Sequence, residues 1–172
     1  MKRSLLLLFT ALVLSPAVLM NRPTLKAWPS TDSLTPSKGS VESELKAAFA
    51  GGKVPPHLSV FYSDMHGLWG GTSIVIRGRG TGERRERSRG KEKPKVVKKR
   101  IDQGQLLELI KLLIELRAWE QQTPDRPPLP DESRATLSIS VNGQASESWE
   151  WFNEISKNNR LIQIKTKMLG LK

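Results

Sequence analysis

With 172 residues the chain has room for one domain with a proper core. It holds no cysteine, which excludes disulfide staples, thiolate metal sites, cysteine nucleophiles and a lipid-modified N-terminal cysteine. The formal charge of +11 is gathered: residues 77–100 hold twelve Lys and Arg against Glu83, Glu86 and Glu92, Lys2 and Arg3 supply the rest, and everything else sums to zero.

Lys2 and Arg3 precede an apolar run from Leu5 to Leu14 and then Ser15, Pro16 and Ala17, the pattern of a secretory signal with cleavage after Ala17. The competing reading keeps residues 1–20 as a membrane anchor. Leu5 to Met20 makes roughly 24 Å of helix against a hydrocarbon core of about 30 Å, so it would span poorly. Residues 21–40, with Pro23, Pro29 and Pro36 among Ser, Thr and Lys, read as a flexible linker. The single domain then covers 41–172.

Ser40 is placed to cap a short helix from Val41 to Ala50, ended by Gly51 and Gly52. Leu58 to Tyr62 alternates as a strand, and Thr72 to Ile76 is β-branched and apolar, as an interior strand would be. Between them Gly67, Gly70 and Gly71 surround Leu68 and Trp69, which predicts a loop with positive φ whose ring folds back on the sheet. The basic stretch begins at Gly78 and returns as a third strand from Lys95 to Ile101. Gly78 to Pro94 is long for a hairpin connection, so residues 78–94 read as a basic insertion with a mobile tip.

The most legible element runs from Asp102 to Gln122. Leu106, Leu109, Ile110, Leu113 and Leu116 share one face of a 3.6-residue period, and Leu107 and Ile114 widen it. Asp102 and Gln105 stand at capping-box spacing, and Pro124 marks the stop. An arc this wide calls for a sheet laid across it, with Trp119 at the edge. Leu137, Ile139 and Val141 then alternate as a half-buried strand, followed by a strand carrying Trp149 and Trp151. A three-residue loop, Asn142 to Gln144, would pair Trp149 with Leu137 and gather the large apolar groups on one side; a two-residue Asn142-Gly143 loop would pair it with Thr136 on the other. The first is favoured. Leu161 to Leu171 fits helix or strand, and the caps offered by Ser156, Asn158 and Asn159 favour helix. The fold class is therefore α+β, a mostly antiparallel sheet of about five strands on one main amphipathic helix, with a C-terminal helix.

Catalytic constellations are thin. His57, Asp64 and His66 would need a further ligand to form a zinc site, and the chain has no other His and no Cys. There is no Gly-x-Ser-x-Gly elbow, and Gly67 to Gly71 lacks the spacing and terminal Lys-Ser/Thr of a phosphate loop. Asp131 and Glu132 read as a solvated strand approach. No catalytic residue, metal ligand or cofactor is assigned, and a hydrolase ranks third.

The order of three strands, a helix, two strands and a helix, with a glycine-rich turn and Asp131 ahead of a Leu-x-Ile-x-Val-x-Gly strand, resembles the emfourin family, small proteinaceous inhibitors of thermolysin-type metalloproteases. It is similar also to many exported α+β domains. The resemblance covers Leu58 to Leu171 and rests on layout; a longer basic hairpin and the leader depart from it. It implies a stoichiometric binder, with Leu68 and Trp69 as the first contact residues.

Two expectations follow. The first is an exported non-enzymatic interaction module, secreted, periplasmic or at the cell surface, that binds a protein partner through Leu68 and Trp69. The second is polyanion binding through Arg84, Arg85, Arg87, Arg89, Lys91 and Lys93, whose Arg/Gly and Arg/Ser character resembles short RNA-contacting tracts. Export disfavours nucleic acid and points to acidic lipid or cell-envelope polymers.

Overall fold

A computed structural model describes residues 39–90, 93–122, 126–127 and 129–172. The expectations for the leader at 1–20, for most of the linker at 21–40, for Lys91 and for the stop at Pro124 lie outside the described residues. Among the described residues no helix is long and apolar enough to cross a membrane.

The first helix, α1 (Val41–Ala50), begins where its cap predicted: Ser40 Oγ accepts from Ser43 N at 3.1 Å and Ser43 Oγ accepts in return from Ser40 N at 2.9 Å. Four antiparallel strands follow as a meander, β1 (Ser59–Ser63), β2 (Gly70–Arg77), β3 (Thr81–Ser88) and β4 (Lys95–Arg100). Helix α2 (Gln103–Glu115) carries the chain from the β4 edge back beyond β1. There β5 (Arg134–Val141) pairs with β1 and β6 (Gln144–Trp151) closes the far edge. The sheet has six strands in the order β4-β3-β2-β1-β5-β6. A 3-10 segment, Phe152–Lys157, leads to α3 (Asn159–Gly170), whose first turn is capped by Asn158 Oδ1 accepting from Leu161 N at 3.0 Å.

The sixth strand is the one the charge pattern concealed. Thr81–Ser88 lies within the predicted basic insertion, yet it pairs along its whole length with β2 and over most of it with β4. The connection shrinks to a tight turn at 78–80, closed by Gly80 N donating to Arg77 O at 3.0 Å, and a second turn after Ser88. Charged side chains are compatible with a strand near a sheet edge because long Arg and Lys stems cover apolar surface while their heads stay in water.

Apart from Trp151, the sheet's buried side chains point one way. Val60, Tyr62, Ile74, Ile76, Leu137 and Ile139 join Leu45 of α1, Leu106, Leu109, Ile110 and Leu113 of α2, and Leu161, Ile164 and Met168 of α3 in one core, each at most 1% exposed. At about 1.5–3 kcal/mol for each large apolar side chain removed from water, this layer supplies the main folding drive. No described helix covers the opposite face, where Phe61, Val75, Ser63, Ser73, Thr136 and Ser138 are half-buried.

Three local expectations need correction. Helix α2 ends at Glu115, well before Gln122, because Arg117 turns to a φ of 45°. Arg117 N donates to Ile114 O at 3.0 Å and Ala118 N to Leu113 O at 2.9 Å, a Schellman closure with Ala118 buried beneath it. The cap at Asp102 holds, Oδ1 accepting from Gln105 N at 2.8 Å, but the Gln105 amide turns to the Lys172 backbone instead of closing the box. The β5–β6 loop has two residues: Asn142 and Gly143 adopt φ of 48° and 83°, and Trp149 pairs with Thr136. Turn chemistry outweighed the gathering of apolar side chains, because Asn-Gly is suited to the two left-handed positions of a type I′ hairpin. Trp149 and Trp151 consequently lie on the face away from the helices.

Candidate functional site

The loop between β1 and β2 is built on a partly buried ion pair. Asp64, 6% exposed, accepts from Thr72 N at 2.7 Å, from the Tyr62 hydroxyl at 3.1 Å and from Lys165 Nζ of α3 at 2.5 Å. Burial pushes the Tyr62 phenol well above its ordinary range, and the Asp64 carboxylate adds to the effect, so the hydroxyl stays protonated and donates. Beyond Asp64, His66 and Gly70 exchange backbone hydrogen bonds of 2.7 and 3.1 Å. The His66 ring packs 4.9 Å from Phe152, and its Nδ1 accepts from Leu68 N at 3.1 Å and Trp69 N at 3.4 Å. Gly70 is required: its φ is +82°, and a Cβ there would lie 1.9 Å from Arg87 O.

This scaffold leaves Leu68 66% and Trp69 53% exposed at its tip. The Trp69 ring does not fold onto the sheet as the glycines suggested; Arg89 lies over it at 4.3 Å. Arg87 reaches the same loop from β3, its Nη2 donating to His66 O at 2.8 Å and Gly67 O at 3.0 Å. The two groups of candidate residues, separate in the sequence, therefore meet at one end of the sheet.

The rest of the basic set divides by strand alternation. Arg85 stands with Arg87 on the open face, where its Nε donates to Glu83 at 2.7 Å and holds that carboxyl below its usual range. Arg84 points to the opposite side, 3.3 Å from Glu86. Lys93 is exposed in the turn before β4. In register on the open face, Arg85 is followed across the sheet by Ser73, Ser63, Thr136 and Trp149, and Arg77 and Arg100 flank Thr81 in a parallel row.

The far side of this face holds a cluster that sequence reasoning misplaced. Trp149 and Trp151 meet edge to face at 4.9 Å, and Arg134 lies over both rings at 4.1 and 4.8 Å. Arg126 also lies over Trp151, at 5.3 Å, and is fixed by two hydrogen bonds to Glu132, of 2.8 and 2.7 Å. Glu132 is thus not solvated: its side chain is 1% exposed, and the Arg126 hydrogen bonds, with one from Leu129 N, hold its carboxyl down to about 2. Asn142-Gly143 was the signal that could have placed this cluster.

His57 and His66 lie beyond opposite ends of β1, and among the described residues no three His, Cys, Asp or Glu side chains group as a metal site requires. The Asp64 carboxylate is fully engaged by its three donors. Neither models of known protein families nor curated proteins match the chain.

Proposed function

We propose that the protein is an exported, non-catalytic binding module that docks stoichiometrically, in the manner of an inhibitor, on a protein partner with an acidic surface. Leu68 and Trp69 enter an apolar pocket of that partner, and the surrounding cations orient it. The observation that carries this reading is the stacking of Arg89 on Trp69 at 4.3 Å. It ties an exposed aromatic anchor to the basic strand, and a ring already held in place loses less freedom on docking. A tryptophan at the centre of an interface is worth about 2 kcal/mol or more, so Trp69→Ala should weaken binding roughly thirtyfold. The test is quantitative pull-down from an exported fraction with wild-type protein, Trp69→Ala and Arg89→Ala. Trp69→Ala should lose the partner and Arg89→Ala should retain part of it; identical partners in all three samples would remove the loop from the reading.

A second reading, polyanion binding, is favoured by the placement of Arg77, Arg85, Arg87, Lys98 and Arg100 on one open face. Removing residues 82–93 would destroy β3, so the appropriate variant is Arg85→Ser with Lys98→Ser. Affinity for an acidic polymer should fall steeply with salt, about 10³-fold between 50 and 200 mM for six phosphate contacts, and fall further in the variant. Salt-independent affinity would end this reading.

A further inference from the structure

The two edges of the sheet are finished differently. Along β6 the Gln121 side chain acts as a strand: its Oε1 accepts from Trp149 N at 2.7 Å and its Nε2 donates to Trp149 O at 3.1 Å. Beside it, Ser148 Oγ donates to Ala118 O at 3.3 Å. The Gln121 contacts occupy backbone groups of Trp149 that would otherwise invite another strand, and the Ser148 contact ties the strand to the turn after α2. Along β4 nothing comparable is found among the described residues. Ile101 N donates to Gly80 O at 2.9 Å, which sets the ladder so that Lys99, Val97 and Lys95 turn their backbone groups toward β3. Val96, Lys98 and Arg100 therefore turn theirs outward. Val96 is 47% exposed, an apolar side chain on an open edge.

We propose that the outer edge of β4 takes up an extended acidic segment of a protein partner as an added strand, its backbone pairing with Val96, Lys98 and Arg100 and its carboxylates meeting Lys98 and Arg100. Charge selects this occupant. A second copy pairing β4 against β4 would set Lys95, Lys98, Lys99 and Arg100 against themselves, and like charges across a ladder are destabilising. The sequence of residues 1–38 holds Lys2, Arg3, Arg22, Lys26 and Lys38 against Asp32 alone, so it lacks the acidic composition this edge calls for. An acidic strand reverses the sign at every one of these contacts.

The side chains of β4 also specify a pattern. On the open face Lys98 and Arg100 remain available, and a depression of about 450 Å³ lined by Arg77, Thr81, Glu83, Lys98 and Arg100 gives a carboxylate a seat beside them. On the helix side Lys99 is already engaged, donating to the carbonyls of Leu169 and Leu171 at the end of α3, next to the partly buried Val97. The matching segment alternates Glu or Asp with Val or Thr. Main-chain hydrogen bonds supply affinity and alternate side chains supply the selection. This site is separate from the Trp69 loop, and Trp69→Ala leaves it intact, so either reading can fail without the other.

The test uses the full chain and a blocked octapeptide alternating Glu with Val, in three forms: unmodified, N-methylated at every second amide, and N-methylated at the other set. Only one set of amides faces β4 in an added strand. One methylated form should bind at least about tenfold more weakly than the parent, and the other within about threefold. Equal binding of both methylated forms would overturn strand addition in favour of simple charge attraction. On the protein, Lys98→Pro removes an outward N–H without touching the ladder to β3, and Lys98→Thr removes only the charge. The proline variant should lose peptide binding that the threonine variant largely keeps. Sedimentation of the free protein should show a monomer, whereas a dimer dissociated by Lys98→Pro would assign the edge to a second copy and overturn the proposal.

Discussion

The two faces of the sheet are held by different physics. On the covered face, β-branched and aromatic side chains at 0–1% exposure press against three helices, and burial alone accounts for their contribution. On the open face the large rings are covered by arginines: Arg134 over Trp149 and Trp151, Arg126 over Trp151, and Arg89 over Trp69 at the loop. A guanidinium laid flat on a ring shields it from water while its own charge stays hydrated. Cations that could serve recognition therefore serve structure as well, and removing one alters both.

The largest expected contrast is between a side chain from each environment. Leu109→Ala, in the centre of α2 and 0% exposed, should cost about 3 kcal/mol, within the usual range for a buried leucine. Phe61→Ala, half-buried on the open face of β1, should cost only about 1–2 kcal/mol despite removing more atoms. Urea denaturation of both variants checks this, and equal losses would mean that the second face is covered as thoroughly as the first.

Acid should act on the open face first. The Glu132 carboxyl sits at about 2, held down chiefly by Arg126, so the folded state binds fewer protons than the unfolded chain between that value and the ordinary 4.5. The stabilisation is fully present above pH 4.5 and is lost as pH falls toward 2. Glu132→Gln should flatten the acid limb of a stability-versus-pH curve in that interval. Trp151 fluorescence should report the change in wild type, because Arg126 is released from Glu132 beside that ring. An unchanged acid limb in the variant would show that the pair contributes nothing.

The same division explains what could be read in advance. The amphipathic stripe of α2 and the alternation of Leu137, Ile139 and Val141 report burial against one layer, which periodicity encodes directly, and the Ser40 and Asn158 caps report local hydrogen bonds that residue type encodes as directly. Strand β3 was illegible because Glu83 to Arg87 put charge on both of its faces, and hydropathy carries no sign of a face in that case. Placing Trp149 and Trp151 required trusting the Asn142-Gly143 turn over the assumption that large rings seek the core. At the site, the positive φ of the loop was legible from Gly70 and Gly71, whereas the outward turn of the Trp69 ring was not. The joining of Arg87 and Arg89 to that loop was not, because it depends on a β2–β3 register that no local pattern specifies.

The edges offer a smaller test. Gln121→Ala should cost about 1 kcal/mol for the two hydrogen bonds to Trp149, and it exposes the β6 backbone. Glu147 and Glu150 of β6 would then meet the lysines of β4 on a second copy, so the variant should self-associate at high concentration while wild type does not. Light scattering checks this; a variant that stays monomeric would show that the side-chain strap is not what guards that edge.

The smallest effect should have the opposite sign. Arg117 holds a left-handed φ of 45° at the close of α2, a conformation that costs a residue with a Cβ about 1 kcal/mol and glycine almost nothing. Arg117→Gly also gives up an ion pair to Glu120, but the Arg117 side chain is 66% exposed, and such pairs are worth a few tenths of a kcal/mol. Glycine further loosens the unfolded chain, which offsets part of the gain. The net expectation is stabilisation by about 0.5 kcal/mol, or a rise in Tm of roughly 2 °C by calorimetry. Arg117→Ala keeps the backbone strain and loses the ion pair, so its Tm should fall slightly. The contribution Arg117 makes to tertiary structure is its carbonyl, which accepts from the buried Arg160 guanidinium at 3.3 Å and survives either substitution. A falling Tm in both variants would therefore place the stabilisation in the Arg117 side chain, and the Schellman turn would have to be counted as bound by surface charge instead of backbone closure.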